Sequence, residues 1–317
     1  MSPTLEQIRQ ARQRIAGTAW RTPLLQLDLP GIAGEIWLKL ENLQPIGSFK
    51  IRGAANVMRA LPAAELARGV LTASAGNMAQ GVAWCARELG IRCTVIAPGT
   101  APAAKLEAIA RLGARVMHVP FDRWWQTFEE RRYPGADGTF IHAFDDPQVM
   151  AGNGTIGLEI LEELPDVEAV IVPWGGGGLA CGIAAAVRAL SPGCRVYAAE
   201  AASGAPLVAA LAAGRPVTVD HRPSFVDGIG SRTVFPAMLE RARGLVEAAI
   251  VSSLTEIGAA MRLLVERAHV VAEGAGACSL AAALSGRAGG GRIVCVVSGG
   301  NIDLDRFVGL LLSQPTA

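Results

Sequence analysis

The stretch AVIVPWGGGGLACGIAAAVRAL, residues 169–190, carries the reading on which the fold rests. Residues 169–173 are an unbroken apolar run with β-branched side chains, the pattern of a strand buried on both faces. Residues 179–190 place apolar side chains at helical spacing. Between them stand Gly175, Gly176, Gly177 and Gly178. A strand that passes into a helix through so short a turn is half of a parallel β-α-β unit. Consecutive glycines let backbone N–H groups converge, and the helix N-terminus adds the positive end of its dipole. The loop therefore reads as an anion cradle, most often for phosphate; a tight turn alone needs fewer glycines.

The alternation extends outward in both directions. Strand-like segments lie at 35–40, 69–72, 93–97, 115–119, 140–142, 194–200 and 292–297. Helix-like segments lie at 48–61, 78–89, 101–112, 124–131 and 153–163, and later near 206–212, 254–268 and 277–284. The expected class is α/β, parallel sheets flanked by helices. Ligands bind such sheets at the carboxyl ends of strands. This chain places TASAGN (72–77), PWGGGG (173–178) and SGGN (298–301) there. FDDP (144–147) is a turn cluster that marks a boundary near 145–150.

Composition excludes several classes. With 51% hydrophobic residues and a net charge of +1, the chain is neither disordered nor a general nucleic-acid binder. No apolar run reaches the ~18 residues of a membrane span, and the polar, helix-periodic start MSPTLEQIRQARQRI is not a signal peptide. The six cysteines form no CxxC and the four histidines lack metal-ligand spacing. The expectation is a cytoplasmic protein without a metal centre or a nucleic-acid or membrane partner. Of 29 basic residues only Lys39, Lys50 and Lys105 are lysine. Where arginine supplies generic charge, a retained lysine points to amine chemistry, because an ammonium can lose its proton and a guanidinium cannot.

One motif leads elsewhere. Gly175, Gly177 and Ala180 fit Gly-x-Gly-x-x-Ala, and Glu200 follows Ala180 by 20 residues, at the end of the next strand. That is the dinucleotide fingerprint and by itself implies an NAD-dependent dehydrogenase. A run of glycines meets it easily, so the rest of the chain decides.

Around Lys50 the sequence reads GSFKIRGAAN (47–56). A surface lysine opening a helix is the plain alternative, although the dipole disfavours a cation there. Between Phe49 and Ile51, desolvation lowers an amine's pKa and favours imine chemistry. GSFKIRGA, SAGNMAQG (74–81), GGGGL (175–179) and SGGN (298–301), in this order, resemble the fold-type II pyridoxal-phosphate enzymes, nearest to the serine/threonine dehydratases and serine racemase. The resemblance runs from TPLLQL (22–27) to SGGNID (298–303), with LENLQPIGSFK (40–50), AGNGTIGLEI (151–160) and VYAAE (196–200). It implies a two-domain fold with residues 1–46 plus 147–317 as the large cofactor-binding domain, 47–146 as the small one, and the active site between them. It also implies a homodimer or larger homo-oligomer acting on an amino acid.

The roles that follow belong to the resemblance. Lys50 would hold pyridoxal 5'-phosphate as an imine and later act as the base at the substrate α-carbon. Phe49 would pack beside the ring, and Asn77 would hydrogen-bond its phenolic oxygen. Gly175 to Gly178 and Leu179 would hold the phosphate. Ser298 would face the pyridine nitrogen, a neutral partner suited to β-elimination. Ser74, Ala75, Gly76, Asn77 and Met78 would bind the substrate, its carboxylate at the helix N-terminus. Glu273 is either an acid near the ring or a plain helix N-terminal carboxylate.

Departures sharpen the reading. Residue 75 is Ala where serine racemases resemble one another in a Ser that serves as second base, so a dehydratase is expected over a racemase. Met78 replaces a common His. Trp124 and Trp125 bring bulk to a region near the substrate in relatives, which admits either a packing role or a pocket for a larger substrate such as phenylserine; Arg123 would instead read an acidic side chain. Pro206 stands where relatives with a cation beside the counterpart of Glu200 carry a carboxylate. A non-catalytic cofactor-binding protein is the remaining rival.

Overall fold

The structure, a computed structural model, describes residues 1–32, 34–101 and 103–313. The chain begins with α1 (Leu5–Ile15), β1 (Leu24–Leu27), β2 (Glu35–Lys39), α2 (Lys50–Ala60) and α3 (Ala63–Arg68). Next come β3 (Val70–Ala73), α4 (Asn77–Leu89), β4 (Cys93–Pro98), α5 (Ala103–Arg111), β5 (Arg115–Val119), α6 (Phe121–Glu130) and β6 (Thr139–Phe140). Then follow α7 (Pro147–Glu163), β7 (Ala169–Pro173), α8 (Gly178–Leu190), β8 (Arg195–Ala201), α9 (Pro206–Ala213) and α10 (Pro236–Leu245). The chain closes with β9 (Ala248–Ser252), α11 (Leu254–Ala268), α12 (Gly274–Leu284), β10 (Arg292–Val296) and α13 (Leu304–Leu312). Short 3-10 turns occupy Glu41–Leu43 and Asp227–Ile229.

Two sheets result. The larger has the order β1-β2-β10-β7-β8-β9, parallel throughout except where β1 runs antiparallel to β2. The smaller has the order β5-β4-β3-β6, all parallel. Every residue of β7 is buried, as its unbroken apolar run requires. On one face of the larger sheet Ile171, Ala199 and Cys295 pack on Ala277 and Ala281 of α12; on the other Val170, Val172 and Val196 pack on Ile183 and Val187 of α8. Glycine brings the next layer close: Gly154 of α7 meets the carbonyl of Gly182 of α8. Asp146 caps α7, accepting from the N–H groups of Gln148 and Val149, and Pro147 fits the first turn because its missing N–H would be unpaired there. FDDP is thus a helix entry.

Most expected elements fall within a few residues of the observed ones. β1, α3, α10, β9 and α13 were not expected. β1 is a four-residue edge strand, too short for alternation to show, and β9 opens with two alanines, which favour helix. No helix among the described residues is long and apolar enough to cross a membrane.

Candidate active site

Three of the quoted motifs meet at the carboxyl ends of β3 and β10. The carbonyl of Ser298 accepts from the Phe49 N–H (3.0 Å), and the N–H of Gly300 donates to the carbonyl of Gly47 (2.9 Å). Asn301 Nδ2 donates to Asn77 Oδ1 and to the Ile46 carbonyl, each at 2.8 Å. Gly47, at φ +68°, makes the turn that lets this happen, because a Cβ there would crowd the Asn301 amide.

Lys50 opens α2 at this junction. Its Nζ donates to the Ala143 carbonyl (2.8 Å) and lies 5.1 Å from the centre of the Phe49 ring. No carboxylate bonds to it, so burial, which disfavours the ammonium, pulls the amine down from 10.5 to about 8; the charge of Glu273 opposes that shift. Lys50 is therefore partly neutral near physiological pH, the form that acts as nucleophile and base.

Ala143 leads into Phe144, which borders the glycine loop. A Cβ on Gly176 would overlap the Phe144 ring, and one on Gly177, at φ +87°, would overlap Trp174. No backbone N–H from Gly175 to Leu179 bonds to a protein acceptor among the described residues. The loop is a cradle of free donors at the N-terminus of α8, as an anion site requires.

Opposite lies the turn from β3 to α4. Ser74, Ala75, Gly76 and Asn77 are half-buried, whereas the Met78 side chain belongs to the core. Ser74 Oγ accepts from the Gly76 N–H (3.2 Å) and stiffens the turn. Asn77 Nδ2 donates to Glu273 Oε1 (2.8 Å). Glu273 stands at the N-terminus of α12 without capping it through its side chain. Burial first, and then Asp227, push its carboxyl up to about 7, against the Asn77 hydrogen bond and the charges of Lys105 and Lys50. Its side chain bonds to Asn77 and not to the α12 backbone.

Other candidates are used elsewhere. Glu200 is buried and accepts from the N–H groups of Leu207 (2.8 Å) and Val208 (2.9 Å), capping α9 with both oxygens. Arg123 donates to Gln126 (2.6 Å) and lies over Tyr133. Trp124 and Trp125 join Phe128, Phe144 and Phe235 in an aromatic cluster. All six cysteines are buried thiols.

Sequence reading missed Ala143, Phe144 and Asp227, which border the site through folding alone, and the surroundings of Lys39. Lys39 is fully buried, bonded to Glu159 (2.7 Å) and to the Thr22 carbonyl (2.6 Å). Arg52, two residues beyond Lys50, is gripped by Glu41 (2.8 Å to each oxygen) and Glu159 (2.6 and 2.9 Å). A GSFKIRG reading that weighed Arg52 as well as Lys50 had the signal available.

The residues fit pyridoxal phosphate. Unengaged N–H groups await a phosphate, a depressed amine awaits an aldehyde, and Ser298, 3% exposed, has a hydroxyl with no protein partner among the described residues.

Comparison with known proteins agrees. The family described as "Pyridoxal-phosphate dependent enzyme" matches residues 15–299. The L-threonine ammonia-lyase of Thermotoga maritima is 40% identical over 314 residues, covering 96% of this chain and 78% of the relative. The catabolic L-threonine dehydratase TdcB of Escherichia coli K12 is 40% identical over 310 residues, covering 95% and 94%. Among solved structures, maize serine racemase matches with a TM-score of 0.87 at 32% identity, covering 98% of each chain. The T.th. threonine deaminase matches at 0.83 and 35%, covering 95% of this chain and 99% of that one. The fold, the fitted cradle and these likenesses lead to one conclusion: the chain belongs to the family of pyridoxal-phosphate dependent enzymes.

Proposed function

We propose that the chain is a dehydratase, an ammonia-lyase that converts an L-β-hydroxy amino acid of the serine/threonine type to a 2-oxo acid and ammonia. The observation that carries this is a one-sided supply of proton-transfer groups. Lys50 is a buried amine of depressed basicity, while position 75, in the turn from β3 to α4, is an alanine that transfers no proton. Elimination needs one base at the α-carbon and racemisation needs two. The threonine ammonia-lyases and dehydratases at about 40% identity support the same direction.

The cofactor, when bound, supplies an electron sink for the pair freed at the α-carbon. The chain supplies the rest. The free N–H groups at the start of α4 receive the substrate carboxylate, with the helix dipole in favour. Gly175 to Leu179 would hold the cofactor phosphate, and Ser298 would face the ring nitrogen as a neutral partner. Asn77, bonded to Glu273 and Asn301, would orient the phenolic oxygen. Lys50 Nζ would take the α-proton and return a proton to the departing β-hydroxyl, which would leave as water. The released enamine adds water again and yields the 2-oxo acid and ammonia. The elements between residues 47 and 146, including the four-stranded sheet, support reading that stretch as a small domain set against the remainder. Trp124 and Trp125 pack on Phe128 and Phe235, which supports the packing role over a pocket for a bulkier substrate.

The test is 2-oxo acid release from serine, threonine, 3-hydroxyaspartate and phenylserine. Release from serine or threonine is expected. Racemised amino acid without oxo acid would overturn the reading in favour of a racemase.

A further inference from the structure

Lys105 is the least conspicuous of the three lysines, and it is the one that joins the two sheets' surroundings at the site. It lies on α5, beside the four-stranded sheet, and its Nζ bonds to Asp227 Oδ2 at 2.7 Å. Asp227 opens the 3-10 turn Asp227–Ile229, a connection belonging to the other half of the chain. That turn touches two parts of the site. A Cβ on Gly175 would lie 3.2 Å from the Ile229 Cα, and one on Gly228 would lie 3.5 Å from Glu273 Oε1. The ion pair therefore anchors, through Asp227, a turn that touches both the glycine loop and the Glu273 carboxyl.

We propose that Lys105 and Asp227 form a charge-neutral clasp across the mouth of the cleft, and that its making and breaking decides whether Glu273 is ionised and so how firmly Glu273 holds Asn77. The two are positioning residues that act through Glu273. This inference rests on the reading of Asn77 and Lys50 as cofactor-facing groups.

The charges around Glu273 argue for it. Lys50 faces it from α2, Asn77 from α4, Lys105 from α5 and Asp227 from the 3-10 turn; its own backbone N–H is spent on the Gly299 carbonyl. Asp227 pushes the Glu273 carboxyl up and Lys105 pulls it down. While the pair is held, Lys105 offsets part of the larger push of Asp227. If Lys105 withdraws with α5, a bare carboxylate remains beside a buried one, and Glu273 takes up a proton. A neutral Glu273 accepts more weakly from Asn77 Nδ2 than a charged one, and it no longer supports the ammonium form of Lys50. A closed cleft thus favours an ionised Glu273 and a fixed Asn77. Both clasp residues are partly exposed, with side chains 34% and 46% accessible, so their removal leaves the core untouched.

The test is a pH titration of the Glu273 carboxyl by NMR in the full-length holoenzyme labelled with carboxyl-13C glutamate, with Glu273→Gln identifying the resonance. Lys105→Met should raise the midpoint by about half a pH unit, Asp227→Asn should lower it by somewhat more, and the double variant should end slightly below the starting value. Lys105→Arg should behave as the unaltered protein. The pH profile of kcat/KM should move in the same directions. Opposed shifts that offset each other are not produced by general loosening of the fold. Unmoved midpoints, or two single variants that shift in the same direction, would overturn the clasp. The lyase reading fails separately: opposed shifts in a protein that releases no 2-oxo acid would retain the clasp and reject the reaction.

Discussion

Lys50 and Arg52 stand two residues apart on one helix, both buried, and burial does opposite things to them. Arg52 meets two carboxylates in fork geometry, and Glu41 and Glu159 push its pKa up despite the cost of desolvation. Lys50 meets a single carbonyl and an aromatic ring, and desolvation pulls it down to about 8. A buried cation with a full set of anionic partners stays charged and is structural. A buried amine without them sheds its proton and becomes chemically useful. Lys39 belongs with Arg52: fully buried, it bonds to Glu159 and the Thr22 carbonyl.

Replacing each of the two by methionine gives the widest separation. Lys50→Met should abolish turnover, by at least about a thousandfold in kcat, because the base at the α-carbon is lost. Without cofactor the same variant should be more stable than the unaltered protein at neutral pH. The folded-state pKa of Lys50, about 8, lies below the ordinary 10.5, so the unfolded chain binds the extra proton. Relative to the variant, the unaltered protein should therefore gain between pH 8 and 10.5, and the advantage of the variant, about 3 kcal/mol at most, should close over that window. Urea unfolding of the two proteins across pH checks it; a variant less stable at every pH would break the comparison.

Arg52→Met should do the reverse and destabilise the fold by about 3–5 kcal/mol, because it strands two buried carboxylates. The same unfolding measurement applies, and a loss below about 1 kcal/mol would show that the forked pairs contribute little.

How much of this was legible beforehand follows the same division. β7, the glycine loop and α8 could be read because their signals are local: an apolar run, four glycines, a helical period. Lys50 could be read because its motif is contiguous. Lys39 could not, since Glu159 and Thr22 lie far from it in sequence and only folding brings them together. Glu200 was readable in position but not in use: its distance from Ala180 imitates a ribose ligand, while its carboxylate caps α9. Phe144 hid inside a turn cluster whose spatial neighbour, Gly176, lies on another element. The clasp between Lys105 and Asp227 is likewise a product of the fold.

Two smaller effects sharpen the contrast between cradle and core. Gly176→Ala drives a Cβ into the Phe144 ring. The expected result is a 10- to 100-fold weaker pyridoxal phosphate affinity, about 1–3 kcal/mol, with a loss of about 1 kcal/mol or more in the unfolding of the apo-protein as Phe144 shifts; equilibrium dialysis measures the affinity, and unchanged affinity would mean that the loop holds no phosphate. Glu200→Gln should have the smallest effect on turnover, because its carboxylate caps α9 and acts on stability alone. Burial pushes the Glu200 carboxyl up to about 7, so its stabilisation is present below the ordinary 4.5 and is lost as pH rises through 7. The glutamine variant should lack that decline and gain on the unaltered protein by about 2–3 kcal/mol between pH 5 and 8. Thermal unfolding at the two pH values checks the sign.

The central claim is that one unpaired buried amine carries the chemistry, and the scarcity of lysine makes it directly testable. Borohydride reduction of the holoenzyme followed by peptide mass analysis will locate the covalently fixed pyridoxyl group among Lys39, Lys50 and Lys105. The account predicts the label on Lys50 alone and its absence from the Lys50→Met protein; a label on Lys39 or Lys105, or one that survives that substitution, would contradict it.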